Sequence, residues 1–222
     1  SGNLMINKYD AEDSSPLAGA SFEVLNESGE RVRFMLQDGI YSFTESADAL
    51  DLLVTDARGI ALLQELPFGT YTVREVSAPV GYEISTFQNQ INITEQDKTE
   101  MLQVPNQKCM RNVKVLKQSA GDEQVPLAGA TFALYKVNGD IRTFVEEATT
   151  GYDGMVRFTV PYGEYMIVET KAPAGYELSG RQPVSFVVDD STADDAEFTF
   201  TFENERSRYG LAIVKQDAKD EH

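Results

Sequence analysis

The chain is poor in the residues that most enzymes and metal sites are built from. It has one cysteine, Cys109, one histidine, His222, which is its last residue, and no tryptophan. A single thiol can close no internal disulfide, and nothing near Cys109 in sequence would activate it as a thiolate. One terminal histidine excludes histidine-based triads and His-rich metal centres, which removes most hydrolase readings. Positive charge is scarce as well: 19 Lys and Arg stand against 36 Asp and Glu, a formal net charge of −17. That balance favours solubility and disfavours nucleic acid and anionic membrane surfaces, both of which need basic patches. No apolar run approaches the ~18 residues of a membrane span, so no membrane insertion is expected. No leader is visible and Ser1-Gly2 resembles a cleavage scar, so the chain reads as a piece of a longer protein.

What the chain does contain is a repeat. LMINKYD (Leu4–Asp10) corresponds to VKVLKQS (Val113–Ser119), and PLAGASFEV (Pro16–Val24) to PLAGATFAL (Pro126–Leu134). TDARGIALLQELPFGTY (Thr55–Tyr71) corresponds to TGYDGMVRFTVPYGEY (Thr150–Tyr165), and YTVREVSAPVGYEI (Tyr71–Ile84) to YMIVETKAPAGYEL (Tyr165–Leu178). Each half closes with an alternating segment, MLQVPNQ or FTFTFENE. Internal repetition of this kind implies two homologous domains, residues 1–108 and 109–206, joined near Lys108–Arg111. LAIVKQDA (Leu211–Ala218) copies the opening segment once more, so residues 207–222 read as the first strand of a truncated third repeat. The first domain is longer by an insertion around residues 34–53, read as an extra hairpin or loop pair with a turn at Gln37–Gly39.

Nearly every segment is short, alternates apolar with polar, and is bounded by Gly, Pro, Asp or Asn. The one hint of helix is a turn at Ala47–Leu53. About seven strands per repeat with turn signals every 8–12 residues predict an all-β sandwich.

The same alternation selects a set of polar residues. Leu4, Ile6 and Lys8 share a face, as do Val113, Val115 and Lys117. Tyr71 and Val73 lead to Glu75, and Tyr165 and Ile167 lead to Glu169. In the closing segments Leu102, Val104 and Asn106 share a face, as do Phe198, Phe200, Phe202 and Asn204. Each repeat thus carries a Lys, a Glu and an Asn at the inward end of three apolar stripes. A carboxylate or an ammonium aimed at a core is expensive unless something meets it. One inward lysine is a common accident, whereas the same three types in both repeats are not. The bland reading is a buried Lys–Glu ion pair with a hydrogen-bonded Asn. The chemical reading is amide formation between the Lys amine and the Asn carboxamide, with ammonia leaving. Burial lowers a lysine pKa and frees the amine to attack. Burial raises a Glu pKa, so a protonated Glu could hydrogen-bond the Asn carbonyl and move protons from amine to leaving group.

On these residues the chain resembles the collagen-adhesin B-type domains of Gram-positive surface proteins and pilins. YMIVETKAPAGYEL follows their E-box, Tyr-x-Leu-x-Glu-Thr-x-Ala-Pro-x-Gly-Tyr, apart from Ile for Leu. YTVREVSAPVGYEI departs by Val at the Leu position and Val76 for Thr. The opening lysine, PLAGAxF and the terminal Asn segment match too. The resemblance implies two tandem prealbumin-like (reverse immunoglobulin-like, Greek-key) β-sandwich domains, each with an intramolecular Lys–Asn isopeptide bond. It implies Lys8 and Asn106 joined with the help of Glu75, and Lys117 and Asn204 with the help of Glu169. It also implies a secreted, cell-wall-anchored stalk of an adhesin or pilus-like protein on a Gram-positive surface. Such a module is not an enzyme, since its Glu acts once on its own chain. It needs no cofactor or metal, and its partners are adjacent repeats of the same chain. The alternative is a binding module for a host extracellular protein or glycan, which an apolar patch at Phe34, Ile40, Tyr41 and Phe43 would favour.

Other signals are weaker. Leu66-Pro67-Phe68-Gly69-Thr70 has the wrong order for a sorting signal and is read as a turn. The acidic group Asp189, Asp190, Asp194 and Asp195 lacks regular cation-loop spacing and is read as a solvated hairpin tip. Asn92-Ile93-Thr94 is a formal glycosylation sequon, read as incidental.

Overall fold

In the computed structural model the alternating segments are strands throughout, and the described residues contain no helix. The structure describes residues 1–86, 88–121, 123–178, 180 and 183–208. The segment LAIVKQDA, with Lys215, lies outside the described residues. The chain divides into two compact units, one of Ser1–Met110 with Asp189–Ser191, the other of Arg111–Val188 with the residues from Thr192 onward.

The first unit runs β1 (Gly2–Asp10), β2 (Ser21–Leu25), β3 (Arg33–Gln37), β4 (Ile40–Thr44), β5 (Leu53–Val54), β6 (Ile60–Leu66), β7 (Gly69–Ser77), β8 (Gln88–Ile93) and β9 (Thr99–Asn106). One sheet has the order β3-β4-β6-β1-β9, the other β5-β2-β7-β8. The second unit runs β10 (Met110–Ser119), β11 (Thr131–Asn138), β12 (Ile141–Thr149), β13 (Met155–Pro161), β14 (Gly163–Lys171), β15 (Val184–Val188) and β16 (Glu197–Asn204). Its sheets are β13-β10-β16 and β12-β11-β14-β15. In each unit the inward side chains of the two sheets form one core. Leu4, Ile6, Phe22, Leu63, Val73 and Val104 belong to the first, and Val115, Phe132, Phe158, Ile167 and Phe202 to the second.

The insertion is the hairpin β3–β4. Its two-residue loop, Asp38-Gly39, has φ of 51° and 80°, so both residues are left-handed. That geometry is the type I′ turn that Asp-Gly prefers. The hairpin extends the β1 sheet because β4 pairs in parallel with β6. Of the four residues considered above for an apolar patch, Phe34 and Tyr41 are buried, Phe43 packs against the core and Ile40 is half-buried. The hinted helical turn is not helical either, since Leu50 exchanges backbone hydrogen bonds with Phe34.

Three shared sequence features hold the same places in both units. Tyr71 Oη donates to the Pro67 carbonyl (3.0 Å) and Tyr165 Oη to that of Pro161 (2.8 Å), so LPFGT is indeed a turn pinned by the following tyrosine. Buried Thr55 donates to the Leu17 carbonyl and accepts from Ala20 N–H, and Thr150 does the same with Leu127 and Ala130. These contacts fix PLAGA to the chain just after β5 in the first unit and just after β12 in the second. Gly59 and Gly154 have φ of 72° and 69°, and each carbonyl accepts the backbone N–H of Lys8 or Lys117 at 2.7 Å. A Cβ on either would lie 2.3 Å from the Lys8 carbonyl oxygen or 2.5 Å from that of Lys117. Only glycine allows the chain to approach the lysine backbone this closely.

Gly154→Ala is therefore expected to destabilise the second unit by at least about 2 kcal/mol, since a left-handed alanine and a backbone clash add. Gly129→Ala, with φ of 87° but open space around the new Cβ, should cost about 1 kcal/mol. Denaturant midpoints compare the two; equal costs would mean that the approach to Lys117 is not what requires glycine.

Candidate functional site

The opening strand of each unit lies beside the closing one, in parallel. β1 pairs with β9 so that Lys8 stands opposite Val104 and Asp10 opposite Asn106. β10 pairs with β16 so that Lys117 stands opposite Phe202 and Ser119 opposite Asn204. Two residues of offset with the pleat's period of two put each Lys and Asn on the same inward face. Glu75 comes from β7 and Glu169 from β14, in the facing sheet of each sandwich. The six residues singled out in the sequence thus form two clusters, each spanning its core from one sheet to the other. Lys8 is 0% exposed, Lys117 and Asn204 1%, and Asn106 2%.

In the first unit Glu75 Oε1 accepts from Asn106 Nδ2 at 2.9 Å and lies 3.9 Å from Lys8 Nζ. Glu75 Oε2 accepts from the Ser85 backbone N–H at 2.6 Å. Lys8 Nζ donates to the Val104 carbonyl at 2.9 Å, while Asn106 Oδ1 is buried without a hydrogen-bond partner. In the second unit Lys117 Nζ reaches Asn204 Oδ1 at 2.5 Å and lies 3.4 Å from Glu169 Oε1. Glu169 Oε1 accepts from Asn204 Nδ2 at 2.8 Å. The sequence suggested a Glu on the Asn carbonyl; instead both carboxylates hold the amide nitrogen. A group there is suited to protonating a departing nitrogen rather than to stabilising an oxyanion.

Burial of Lys8 pulls its amine down to a pKa of about 8, and the charge of Glu75 only partly opposes this. At neutral pH an appreciable fraction of the amine is therefore neutral and nucleophilic.

Two buried acids were not singled out in the sequence: Glu23, which is paired with Arg31 and Arg74, and Asp10. Asp10 continues the inward alternation of β1 one step beyond Lys8 and is 1% exposed. Its Oδ2 accepts from Tyr82 Oη at 2.7 Å and lies 3.2 Å from Lys108 Nζ, and its Oδ1 accepts from Glu12 N–H at 2.8 Å. The signal was available, because period two carries the stripe through Leu4, Ile6 and Lys8 to a carboxylate. Elsewhere, Asp194 of the acidic group accepts from Arg111 at 2.9 Å.

The sandwich, the parallel closing strands and the paired clusters invite comparison with known proteins. The model of the SpaA prealbumin-like fold domain matches this chain twice, over residues 2–108 and 111–205. The chain belongs to that family. Among solved structures it is similar to the Bacillus anthracis TIE protein, with 26% identity and a TM-score of 0.71. That match covers 92% of this chain and 34% of the other, so the chain spans about a third of the length of that relative. It shares its fold with the C-terminal fragment of the pilus adhesin SpaC from Lactobacillus rhamnosus GG, at 16% identity and a TM-score of 0.54. That match covers 96% of this chain and 99% of the other. No curated protein sequence matches the chain significantly. As a SpaA-family chain it is a pilin-like protein of prealbumin fold.

The lowered Lys8 pKa has a consequence for any form of this SpaA-family chain whose first site is unlinked. Asn106→Ala keeps the amine and removes the amide. The unfolded state then holds more protons than the folded state between about pH 8 and 10.5. Stability of the first unit should rise with pH through that window and fall again as pH drops through 8, by on the order of 3 kcal/mol at most. Denaturant titrations across the window test this against a Lys8→Met/Asn106→Ala double variant. The same slope in both would rule out Lys8 as its source.

Proposed function

We propose that this chain is a structural, load-bearing module of a Gram-positive surface adhesin or pilus-like protein, strengthened by two self-formed cross-links. Lys8 joins Asn106 and Lys117 joins Asn204 as side-chain amides. The observation that carries this reading is the pair of clusters itself: an unexposed amine beside a carboxylate that is bonded to the nitrogen of a buried amide, twice in one chain. As a bare ion pair each cluster would hold charge inside a core at considerable desolvation cost.

The reaction uses only groups present. The Lys ammonium passes one proton to the Glu carboxylate and becomes a neutral amine. Its Nζ attacks Asn Cγ, and the Nζ–Cγ bond forms. The Glu carboxylic acid protonates Nδ2 and then takes a second proton from Nζ. The Cγ–Nδ2 bond breaks, ammonia leaves, and the Glu ends protonated. Folding fixes the three groups together, and such proximity is worth about 7–11 kcal/mol of barrier in favourable geometries. Each site reacts once, so the chain is a substrate of its own chemistry rather than an enzyme.

Parallel first and last strands give the bond a mechanical role. Tension entering at the start of β1 runs along that strand to Lys8, crosses to Asn106 and leaves the unit. The rest of the sandwich is bypassed. Each bond also closes a loop of nearly the whole unit, which by analogy with disulfides contributes about 4–5 kcal/mol. Secretion to the cell wall and contact with neighbouring repeats follow from this role as parts of the same proposal.

The purified chain should weigh about 17 Da less than its sequence for each bond, or about 34 Da in all, because each expels one ammonia. The full calculated mass would reject both cross-links. Glu169→Ala should fold yet retain the second unit's ammonia, and Lys117→Ala should do so with a lower Tm. An undiminished mass deficit in Glu169→Ala would show that Glu169 does not move the protons.

A further inference from the structure

The two clusters differ in how the loop over them is held. In both units the turn after the Glu strand is stitched to the chain beyond the Asn. Glu83 N–H donates to the Gln107 carbonyl and Cys109 N–H to that of Gly81, each at 2.8 Å. In the second unit Glu177 N–H donates to Glu205 and Ser207 N–H to Gly175, at 3.0 and 2.9 Å. Among the described residues, only the first unit adds a buried carboxylate to this stitch. Ser119 stands in the register position of Asp10, and its hydroxyl turns to the Glu123 carbonyl at 2.7 Å.

Asp10 joins three segments at one point. It sits on β1 next inward from Lys8, holds the Tyr82 hydroxyl from the loop, and pairs with Lys108 just beyond Asn106. Three residues after Tyr82, the same loop presents the Ser85 N–H to Glu75 Oε2. The first unit has reason to need this tie. Its Lys8 rests on the Val104 carbonyl and its Asn106 Oδ1 has no partner, whereas Lys117 already touches Asn204. It also has Val76 where the second unit has Thr170, whose hydroxyl donates to the Thr131 carbonyl at 3.3 Å.

We propose that Asp10 and Tyr82 are positioning residues for the Lys8–Asn106 bond, clamping the Pro79–Ser85 loop so that Ser85 N–H fixes Glu75 against the Asn106 amide. This inference rests on the cross-linking reading above. Asp10 touches neither reacting atom; it acts through Tyr82, Lys108 and the loop. Its carboxylate is ionised throughout the neutral range. Burial pushes its pKa up, but the hydrogen bonds from Tyr82, Glu12 N–H, Lys108 and Asp13 N–H outweigh this and hold it at about 2. Burial and the bond to Asp10 in turn raise Tyr82 to about 12, so its hydroxyl stays a donor.

The test uses the whole chain, freshly purified, with Asp10→Asn and Tyr82→Phe made separately. Peptide mapping over time follows the Lys8–Asn106 and Lys117–Asn204 cross-linked peptides in the same sample. Both variants should form the first peptide at least about tenfold more slowly than the unaltered chain, with the second peptide complete. Protease resistance and a cooperative thermal transition show that the first unit is folded. If Asp10→Asn fails to fold, Tyr82→Phe, which removes a single hydroxyl, decides alone. Folded variants that link the first unit at the unaltered rate, even with a lower Tm, would overturn the positioning role and leave the cross-linking reading standing. An unaltered chain without the Lys8–Asn106 peptide would overturn that reading and this inference with it.

Discussion

Each unit of this protein is organised around an amine that has been taken out of water. Lys8 and Lys117 lie at the inward end of the apolar stripe of the first strand, with essentially no exposure. A bare ammonium in that position would oppose folding by several kcal/mol. The surrounding structure reads as a set of responses to it: a carboxylate from the facing sheet, an amide from the neighbouring strand, and a backbone so close that only glycine fits. Conversion to an amide is the fullest response available, because it removes the ammonium altogether and leaves a neutral group that the buried Glu can hydrogen-bond.

The position of the carboxylate decides what it can do. Both Glu residues sit on the amide nitrogen, and the lysine approaches from the other strand. In the proposed reaction, that arrangement gives them proton movement and leaves the developing oxyanion to other groups near Oδ1. In the second unit Oδ1 accepts from Lys117 before any reaction; in the first, Oδ1 has no partner. The two sites therefore differ in readiness although their residues match. The Asp10–Tyr82–Lys108 cluster is found in the less organised site, which is where added rigidity would matter most.

The first unit's insertion shows the same economy. A hairpin that might have displayed aromatic residues instead buries Phe34 and Tyr41 and widens the sheet containing β1. Those two strands extend the sheet that carries Lys8 and Asn106.

The sequence alone determined the strands, the repeat and the identity of the six clustered residues. Alternation with period two reports which side of a strand a residue faces, and that is a local property. It follows that Lys8, Glu75 and Asn106 could be recognised as inward-facing without knowing what they faced. The Asp-Gly turn of the insertion was legible for the same reason, since its conformation is set by two residues. What the sequence could not give was pairing. That β1 lies parallel to β9, that two residues of register separate Lys8 from the partner of Asn106, and that Glu75 arrives from the opposite sheet all depend on contacts between segments far apart in the chain. The Glu bonded to the nitrogen rather than to the carbonyl, and Phe34 and Tyr41 turned into the core, are decided at that level too. Asp10 lay between: its inward direction was readable from Leu4, Ile6 and Lys8, but its partners Tyr82 and Lys108 come together only when the loop folds over the end of the sandwich.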